Sequence, residues 1–250
     1  MRPLTVRGVT LGAGRVKIAV PIVGKTREEI LVQADAVVSL RADLAEWRAD
    51  YFEHLTDRAA LLDVLRALRA ALGETPLLFT IRTAREGGNA GLSPADYAAL
   101  TLAAAQSGCA DLIDVELSAG REAARTLIDG IHAAGRLAVG SRHDFAATPP
   151  QEAMRGCLRE AQELGADVPK LAVMANSDAD ALSLLSAAVT FRDRDADRPF
   201  IAISMGEHGA LSRVACGFVG SCLTFGSAEH GSAPGQIPVE KLRELLALLP

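Results

Sequence analysis

A lysine stands in the middle of an apolar segment that predicts a buried β-strand. The segment is ADVPKLAVMA, residues 166–175, and Lys170 is one of four lysines in a chain that has 22 arginines. Burying an ammonium group costs free energy, and burial favours the neutral amine, which can attack a ketone or an aldehyde to form an imine. An ion-paired structural lysine would fit the same segment. Pro169 lacks a ladder donor and predicts a bulge that aims the lysine.

A histidine near the end of the preceding predicted strand could move protons for such an imine. The segment RLAVGSRHDF, residues 136–145, carries His143, and imidazole titrates near neutrality. A strand-end histidine is, however, as often a hydrogen-bonded structural residue. Glu86, in RTAREGG, could orient the imidazole or be an ordinary loop acid, and its sequence context leaves both interpretations open.

Three arginines, Arg48, Arg82 and Arg213, follow or lie near predicted strand ends. Each could be a surface or structural cation. Together they indicate a small anionic ligand with hydroxyl groups, because a guanidinium matches a carboxylate with two parallel hydrogen bonds.

Composition limits the class of protein. The 250 residues are 49% hydrophobic and 23% charged, with a net charge of −5, which is typical of a globular protein and argues against nucleic-acid binding. No segment approaches the roughly 18 apolar residues of a membrane span, and MRPLTVRGVT has no signal-peptide pattern, so we expect a cytoplasmic protein. The four cysteines, Cys109, Cys157, Cys216 and Cys222, have no C-x-x-C spacing, and we expect neither a metal site nor disulfides.

Strand-like and helix-like segments alternate along the whole chain. The predicted strands are 17–23, 44–50, 76–83, 110–117, 136–145, 167–175, 199–206 and 220–227. The predicted helices are 26–41, 57–73, 93–108, 120–135, 150–165, 177–193, 208–218 and 239–250. The first helix has a capping-box pattern, Thr26 and Glu29, and several helices end at a glycine: Gly73, Gly108, Gly135 and Gly165.

Eight such units without a linker predict an α/β fold, a single (β/α)8 TIM barrel that occupies residues 1–250 as one catalytic domain. The residues before Lys17 are expected to form a short N-terminal hairpin at the bottom of the barrel. The alternative, a doubly wound open sheet, would need a glycine-rich phosphate loop, and PIVGKT has neither of the usual spacings. In a barrel the carboxyl ends of the strands surround the active site. Polar residues at those ends are therefore candidates: Glu46, Arg48, Arg82, Glu86, Glu116, His143, Lys170 and the loop GSAEHGSAPGQ. In that loop Gly231, Ser232, Ala233 and Gly235 would fit either an anion-binding backbone turn or a flexible loop, and His230 is assigned no role.

These segments resemble one known family, the type I 3-dehydroquinate dehydratases. The resemblance covers nearly the whole chain and rests on several motifs in the family's order: EWRAD, RTAREGG, DVEL, AVGSRHD, KLAVMA, SMGEHGALSR and SAPGQI. Two positions depart from the family pattern. Ala138 replaces a larger aliphatic residue, and Arg142 stands where Asn, His or Tyr is usual and could alter the charge next to His143.

The resemblance implies a lyase of the shikimate pathway that uses a lysine Schiff base. Lys170 would form the imine with 3-dehydroquinate, His143 would transfer protons, and Glu86 would hold the imidazole. The substrate-binding residues that it implies are Glu46, Arg48, Arg82, Arg213, Ser232 and Gln236. No metal or nucleotide cofactor is implied, and family members are commonly homodimers.

Two other functions remain open from the residues. Another Schiff-base barrel, such as a class I aldolase, would also place a lysine in a strand, but it would need a phosphate site, and SAEHGSAPGQI offers glycines without a matching basic residue. A non-catalytic barrel that binds a small acid would have no use for Lys170 and His143 together.

Overall fold

Parallel strands form the centre of the structure, a computed structural model that describes residues 1–228 and 232–248. The strands of this described part are β1 (Leu4–Val6), β2 (Val9–Leu11), β3 (Lys17–Ile22), β4 (Leu44–Arg48), β5 (Leu77–Thr80), β6 (Leu112–Glu116), β7 (Leu137–Asp144), β8 (Val168–Met174), β9 (Ile201–Met205), β10 (Leu223–Ser227) and β11 (Ile237–Pro238). The sheet runs from β3 to β9 in chain order, and β10 pairs with β3. A bridge between Phe200 and Ser221 brings β9 next to β10 and closes the ring. The predicted (β/α)8 barrel is confirmed.

Helices follow the strands and cover the outside of the barrel. They are α1 (Arg27–Ser39), α2 (Arg58–Leu72), α3 (Pro94–Gln106), α4 (Arg121–Ala133), α5 (Gln151–Glu163), α6 (Asp178–Arg194), α7 (Ala210–Val214), α8 (Cys216–Val219) and α9 (Val239–Ala247). The predicted bounds agree to within a few residues except at 208–218, where the single predicted helix is wrong. Two short helices stand there, because the carbonyl of Arg213 accepts hydrogen bonds from the Thr224 hydroxyl and the Cys216 thiol where the helix breaks.

The N-terminal hairpin lies against the bottom of the barrel, as predicted. Strands β1 and β2 pair antiparallel, and Arg7 and Gly8 both have positive φ, 43° and 77°, as a tight two-residue turn requires. Val6 and Leu11 are buried in the same apolar cluster as residues at the amino ends of the barrel strands, such as Leu44. The hairpin therefore closes the end of the barrel opposite to the one that holds the candidate residues.

Alternation along β8 separates an inner from an outer face. Leu171 and Val173 pack in an apolar cluster with Leu184 and Phe191 of α6. Lys170, between Pro169 and Leu171, consequently points into the barrel, because successive side chains of a strand face opposite sides. The bulge predicted at Pro169 is wrong. The register with β7 is continuous from Val168 to Val173, so the regular pleat alone aims the lysine inward.

The capping box predicted for α1 is present and gives a test of local stability. The Thr26 hydroxyl accepts a hydrogen bond from the Glu29 amide at 3.2 Å, and the Glu29 carboxylate accepts one from the Thr26 amide at 3.4 Å. We expect Thr26→Ala to lower the free energy of unfolding by about 1 kcal/mol, because the amides lose a partner at the start of the helix. Urea unfolding measures the change. Thr126→Ala is the matched control, since the Thr126 hydroxyl bonds only to the Glu122 carbonyl on the exposed side of α4, and an equal loss there would contradict the capping explanation.

Candidate active site

The residues predicted to bind substrate and carry the reaction meet at the carboxyl ends of the strands. One cavity there is lined by Glu46, Arg48, Arg82, His143, Lys170, Arg213, Ser232 and Gln236. Glu86 lies behind His143 and contacts it directly. The barrel therefore brings together side chains that lie up to 190 positions apart in the chain, from Glu46 to Gln236.

Lys170 and Glu46 face each other across the barrel. They belong to β8 and β4, the sixth and the second strand of the ring, which stand on opposite sides. Lys170 Nζ lies 3.5 Å from Glu46 Oε1, and both side chains are almost fully buried. Nζ also lies 4.6 Å from the centre of the Phe225 ring, within the range of a cation–π contact. Thr80 donates a hydrogen bond to the same Glu46 oxygen at 3.1 Å and fixes the carboxylate.

His143 is held by Glu86 from two directions. Glu86 Oε2 lies 2.9 Å from His143 Nδ1 and accepts a hydrogen bond from the His143 amide at 3.0 Å. With Nδ1 donating to the carboxylate, Nε2 is the nitrogen that remains for a ligand in the cavity. Burial, with the charges of Arg82 and Lys170, lowers the pKa of His143 well below its usual value. The imidazole is therefore neutral at pH 7 and can accept a proton.

Glu86 is a buried acid whose carboxyl group ionises less readily than usual. Burial raises its pKa to about 7, a shift that Arg82 opposes and Glu116 increases. The next residue, Gly87, has a φ of 77°, and a Cβ there would lie 2.5 Å from the Phe145 ring, so a glycine is needed for this close approach. Phe145 in turn stacks beside His143, with ring centres 6.5 Å apart. The Glu86 segment and the imidazole are thus packed as one unit.

Arg82 is the centre of a buried ionic cluster. Its guanidinium donates to Asp114 at 2.9 Å, to Glu116 at 3.0 Å, to Ser141 at 3.1 Å and to Glu86 at 3.3 Å. Burial opposes the charge of Arg82, but Asp114 and Glu116 outweigh this effect and hold its pKa above the usual value. Most of its donors are therefore already used by the protein, although the side chain also borders the cavity.

Arg48 is oriented by an acid that the sequence analysis did not single out. Its guanidinium makes two hydrogen bonds with Asp50, at 2.8 and 2.9 Å, and a third with the carbonyl of Ser232 at 3.3 Å. Asp50 also accepts hydrogen bonds from the backbone amides of Arg82 and Asn89. Charge-assisted contacts of this kind keep the pKa of Asp50 below its usual value despite burial.

Arg213 differs from the other two cations. It is 1% exposed, its guanidinium donates to the carbonyl of Pro234 at 2.8 Å, and its Nε has no partner within the described residues. No carboxylate of the described chain forms an ion pair with it. Burial lowers the pKa of Arg213 to about 10, so the group still carries its charge at neutral pH. A buried, charged guanidinium without an acid is suited to binding the carboxylate of a ligand.

Ser232, Ala233 and Gln236 border the cavity from the described part of the chain that follows β10. Ser232 and Gln236 are joined by two hydrogen bonds, Ser232 N to Gln236 Oε1 at 2.9 Å and Gln236 Nε2 to Ser232 Oγ at 3.2 Å. Both border the cavity. His230 and Gly231, which the sequence analysis considered in this loop, lie outside the described residues.

Arg142 lies on the other face of β7 from His143. Ser141 and His143 point to Arg82 and Glu86 inside the barrel, and the residue between them points outward. Burial raises the pKa of Cys157, on α5, and the charge of Arg142 opposes that shift, which places the guanidinium near the helix layer. The charges that act on His143 come from Arg82, Lys170 and Arg48 instead.

The apolar walls of the cavity were not predicted from the sequence. Ala172, Ile203, Met205, Phe225 and Phe145 also line it. Strand alternation could have found several of them, since Ala172 lies two positions after Lys170 and must face the same side. Within the part of the chain that the structure describes, no three metal-ligating side chains cluster, and none of the helices is long and apolar enough to cross a bilayer.

Comparisons with known proteins agree on one family. The sequence profile of the type I 3-dehydroquinase family matches residues 18–250. The chain is 48% identical over 249 residues to the 3-dehydroquinate dehydratase of Syntrophotalea carbinolica, covering 100% of this chain and 98% of that one, and 45% identical over 246 residues to the enzyme of Klebsiella pneumoniae, covering 98% of each. The type I 3-dehydroquinate dehydratase of Clostridium difficile, solved with covalently modified comenic acid, is 40% identical and has a TM-score of 0.95, with 99% of this chain and 97% of that one covered.

Proposed function

Because the chain belongs to the type I 3-dehydroquinase family, a family of lyases, we propose that it converts 3-dehydroquinate into 3-dehydroshikimate and water through an imine on Lys170. The observation that carries the proposal is the geometry of one buried amine, Lys170, in a cavity that also holds a neutral imidazole and a cation, Arg213, that pairs with no acid among residues 1–228 and 232–248. Those three groups match the ketone, the acidic C–H bond and the carboxylate of the substrate.

Substrate capture is assigned to the arginines and the loop after β10. Arg213 pairs with the carboxylate, and Ser232 and Gln236 lie beside it at the mouth, where they add hydrogen bonds. Glu46 and Arg48 bind ring hydroxyls. Arg82 has the smallest share in binding, because Asp114, Glu116 and Ser141 already occupy its donors, and it acts mainly by holding the acids in place.

The chemistry divides between Lys170 and His143. The amine of Lys170 attacks the ring ketone, water leaves, and the protonated imine becomes an electron sink for the next bond to break. His143 Nε2 takes a proton from the neighbouring carbon, and the C–H electrons form an enamine. The enamine electrons then expel the hydroxyl group, to which His143 returns its proton, so that a second water leaves. Hydrolysis of the imine consumes one water and frees the conjugated product, which balances the net loss of one water.

Glu86 keeps the imidazole in the productive tautomer. Its ionised carboxylate accepts from Nδ1 and the His143 amide, and it stabilises the imidazolium that forms during proton transfer. Protonation of Glu86 weakens both effects.

The pKa of Glu86 gives a prediction for the pH dependence of the reaction. Since burial raises that pKa to about 7 and lowers the pKa of His143, the carboxyl group takes up a proton before the imidazole as the pH falls. We expect kcat/KM of the wild-type protein to decrease as the pH falls through about 7, and we expect Glu86→Gln, which keeps an acceptor beside Nδ1, to lose that acidic limb. A pH profile of each protein measures this. An unchanged limb in Glu86→Gln would assign it to another group.

The function is tested by supplying 3-dehydroquinate and following both the product and the covalent intermediate. The conjugated product should absorb in the ultraviolet as it accumulates, and borohydride should trap a substrate adduct on Lys170, located by mass spectrometry of the peptides. An adduct formed with sugar phosphates and not with dehydroquinate would favour an aldolase, and no adduct with either would favour a binding protein. The single catalytic domain, the homodimer, the cytoplasmic location and the place in the shikimate pathway stay predictions from the sequence.

A further inference from the structure

We infer that Glu46 is a catalytic proton-transfer residue, which takes the proton that Lys170 must lose before it attacks the ketone and delivers it to the oxygen that leaves as water. This inference rests on the proposed function and adds a step to it. In the binding role that the resemblance implies, Glu46 only holds a hydroxyl group of the substrate.

The contact between the two residues carries the inference. Among the described residues, Glu46 Oε1 is the one acceptor within hydrogen-bond distance of Lys170 Nζ, at 3.5 Å. Both side chains are almost fully buried, at 5% and 4% exposure, so bulk water has little access to the amine. Within the described residues, a proton that leaves Lys170 therefore has one base already at hydrogen-bond distance. The separation is at the long limit of a hydrogen bond, and transfer requires an approach by about 0.5 Å.

The amine of Lys170 has two neighbours that suit a cation. The negative carboxylate of Glu46 and the face of the Phe225 ring both attract a cation. An ammonium group has no lone pair and cannot attack a ketone. The interaction that stabilises the resting site thus creates a need for deprotonation, and the same carboxylate is positioned to meet it.

His143 does not contact the amine in this arrangement. Its Nε2 remains for a ligand, but no hydrogen bond joins His143 to Lys170 within the described residues. Thr80, in contrast, holds Glu46 Oε1 at 3.1 Å, so the oxygen that faces the amine is fixed in direction. The arrangement gives separate bases to separate steps: Glu46 for making the imine and His143 for the carbon-bound proton.

The step balances in atoms and charge. Lys170 gives one proton to Glu46, and the nitrogen lone pair that this frees forms the C–N bond. The carbonyl electrons move to the oxygen, which takes that proton from Glu46. The nitrogen then gives a second proton to Glu46. Glu46 delivers this proton to the hydroxyl group, the C–O bond breaks, and the nitrogen lone pair forms the C=N bond. The three protons of the ammonium end as one on the imine and two on the water, and Glu46 is again a carboxylate beside the cationic imine.

The test is the rate of adduct formation in Glu46→Gln at saturating 3-dehydroquinate, followed by rapid acid quench and intact-protein mass spectrometry. Gln keeps the size of the side chain and its ability to bind a hydroxyl group, but it cannot take up a proton. We expect the adduct to form on the order of 10²–10⁴-fold more slowly than in the wild type, the usual contribution of a general acid or base. Glu163→Gln is the matched control: this exposed acid on α5 pairs with Arg121 outside the cavity, so the same change there should leave the rate of adduct formation unchanged.

Glu46→Asp keeps the test decisive if Glu46→Gln folds poorly, as circular dichroism would show. The aspartate retains a base one methylene further away, so its adduct should form faster than in Glu46→Gln. Adduct formation in Glu46→Gln within about threefold of the wild-type rate, or equal rates in the Gln and Asp variants, would overturn the inference and leave the proposed function intact. Absence of an adduct in the wild type would overturn the proposed function and this inference with it.

Discussion

Lys170→Met is expected to give a folded protein whose turnover of 3-dehydroquinate falls by roughly 10⁴-fold or more, the scale on which a covalent catalyst loses activity without its nucleophile. Methionine matches the length of the lysine stem and packs among Ala172 and Phe225 of the cavity, but it cannot form an imine. The measurement is steady-state turnover together with the circular dichroism spectrum, which separates loss of chemistry from loss of fold.

Lys17→Met is the control for Lys170→Met. Lys17 begins β3 at the bottom of the barrel, and its ammonium group bonds to the carbonyls of Ala13 and Arg15, far from the cavity. Its removal should leave turnover unchanged. Near-normal turnover in a folded Lys170→Met protein would end the Schiff-base proposal.

His143→Ala is expected to form the covalent adduct with 3-dehydroquinate and then to stall. Imine formation depends on Lys170 and Glu46, whereas removal of the carbon-bound proton needs the imidazole. Turnover should therefore fall by about 10²–10⁴-fold or more, with an adduct that accumulates on Lys170 and is detected by mass spectrometry without borohydride. Binding through Arg213 should change little.

His132→Ala provides the comparison for His143→Ala. His132 is half-exposed on α4 and pairs with Asp167 at 2.8 Å, outside the cavity. Its loss should affect stability at most, and no adduct should accumulate during turnover. Normal turnover in His143→Ala, or substrate binding that never leads to an adduct, would contradict the division of roles between the lysine and the histidine.

The fold could be predicted because its main signals are local. The apolar residues on both sides of Lys170 predicted a buried strand, and four glycines that were predicted to end helices, Gly73, Gly108, Gly135 and Gly165, all have positive φ. The break between α7 and α8 could not be predicted in this way. It depends on the hydroxyl of Thr224, which comes from β10 and lies 11 positions beyond the carbonyl that it binds.

The site was predicted in its members more completely than in its contacts. The residue types and their positions at predicted strand ends indicated Lys170, His143 and the arginines. The hydrogen-bond partners of Arg82, however, lie up to 59 positions away along the chain. Only the closed barrel brings Asp114 and Ser141 against the Arg82 guanidinium. A residue predicted to bind substrate therefore uses most of its N–H groups for hydrogen bonds within the protein. The pairing of Lys170 with Glu46 is likewise a product of barrel closure, over a separation of 124 positions.

Among the described residues, the closure between β9 and β10 has fewer paired positions than any other pair of neighbouring barrel strands, the next fewest being the two between β5 and β6. One bridge, Phe200 to Ser221, joins these strands, whereas β7 and β8 share six paired positions and β8 and β9 share five. Backbone amides at the thin seam should exchange with deuterium sooner than those of β7 and β8, because fewer neighbours hold them. The seam lies beside the α7 segment that carries Arg213, while Lys170 and His143 belong to the firm side. The barrel is thus paired least beside the residue proposed to bind the substrate carboxylate and most between the two strands that carry His143 and Lys170.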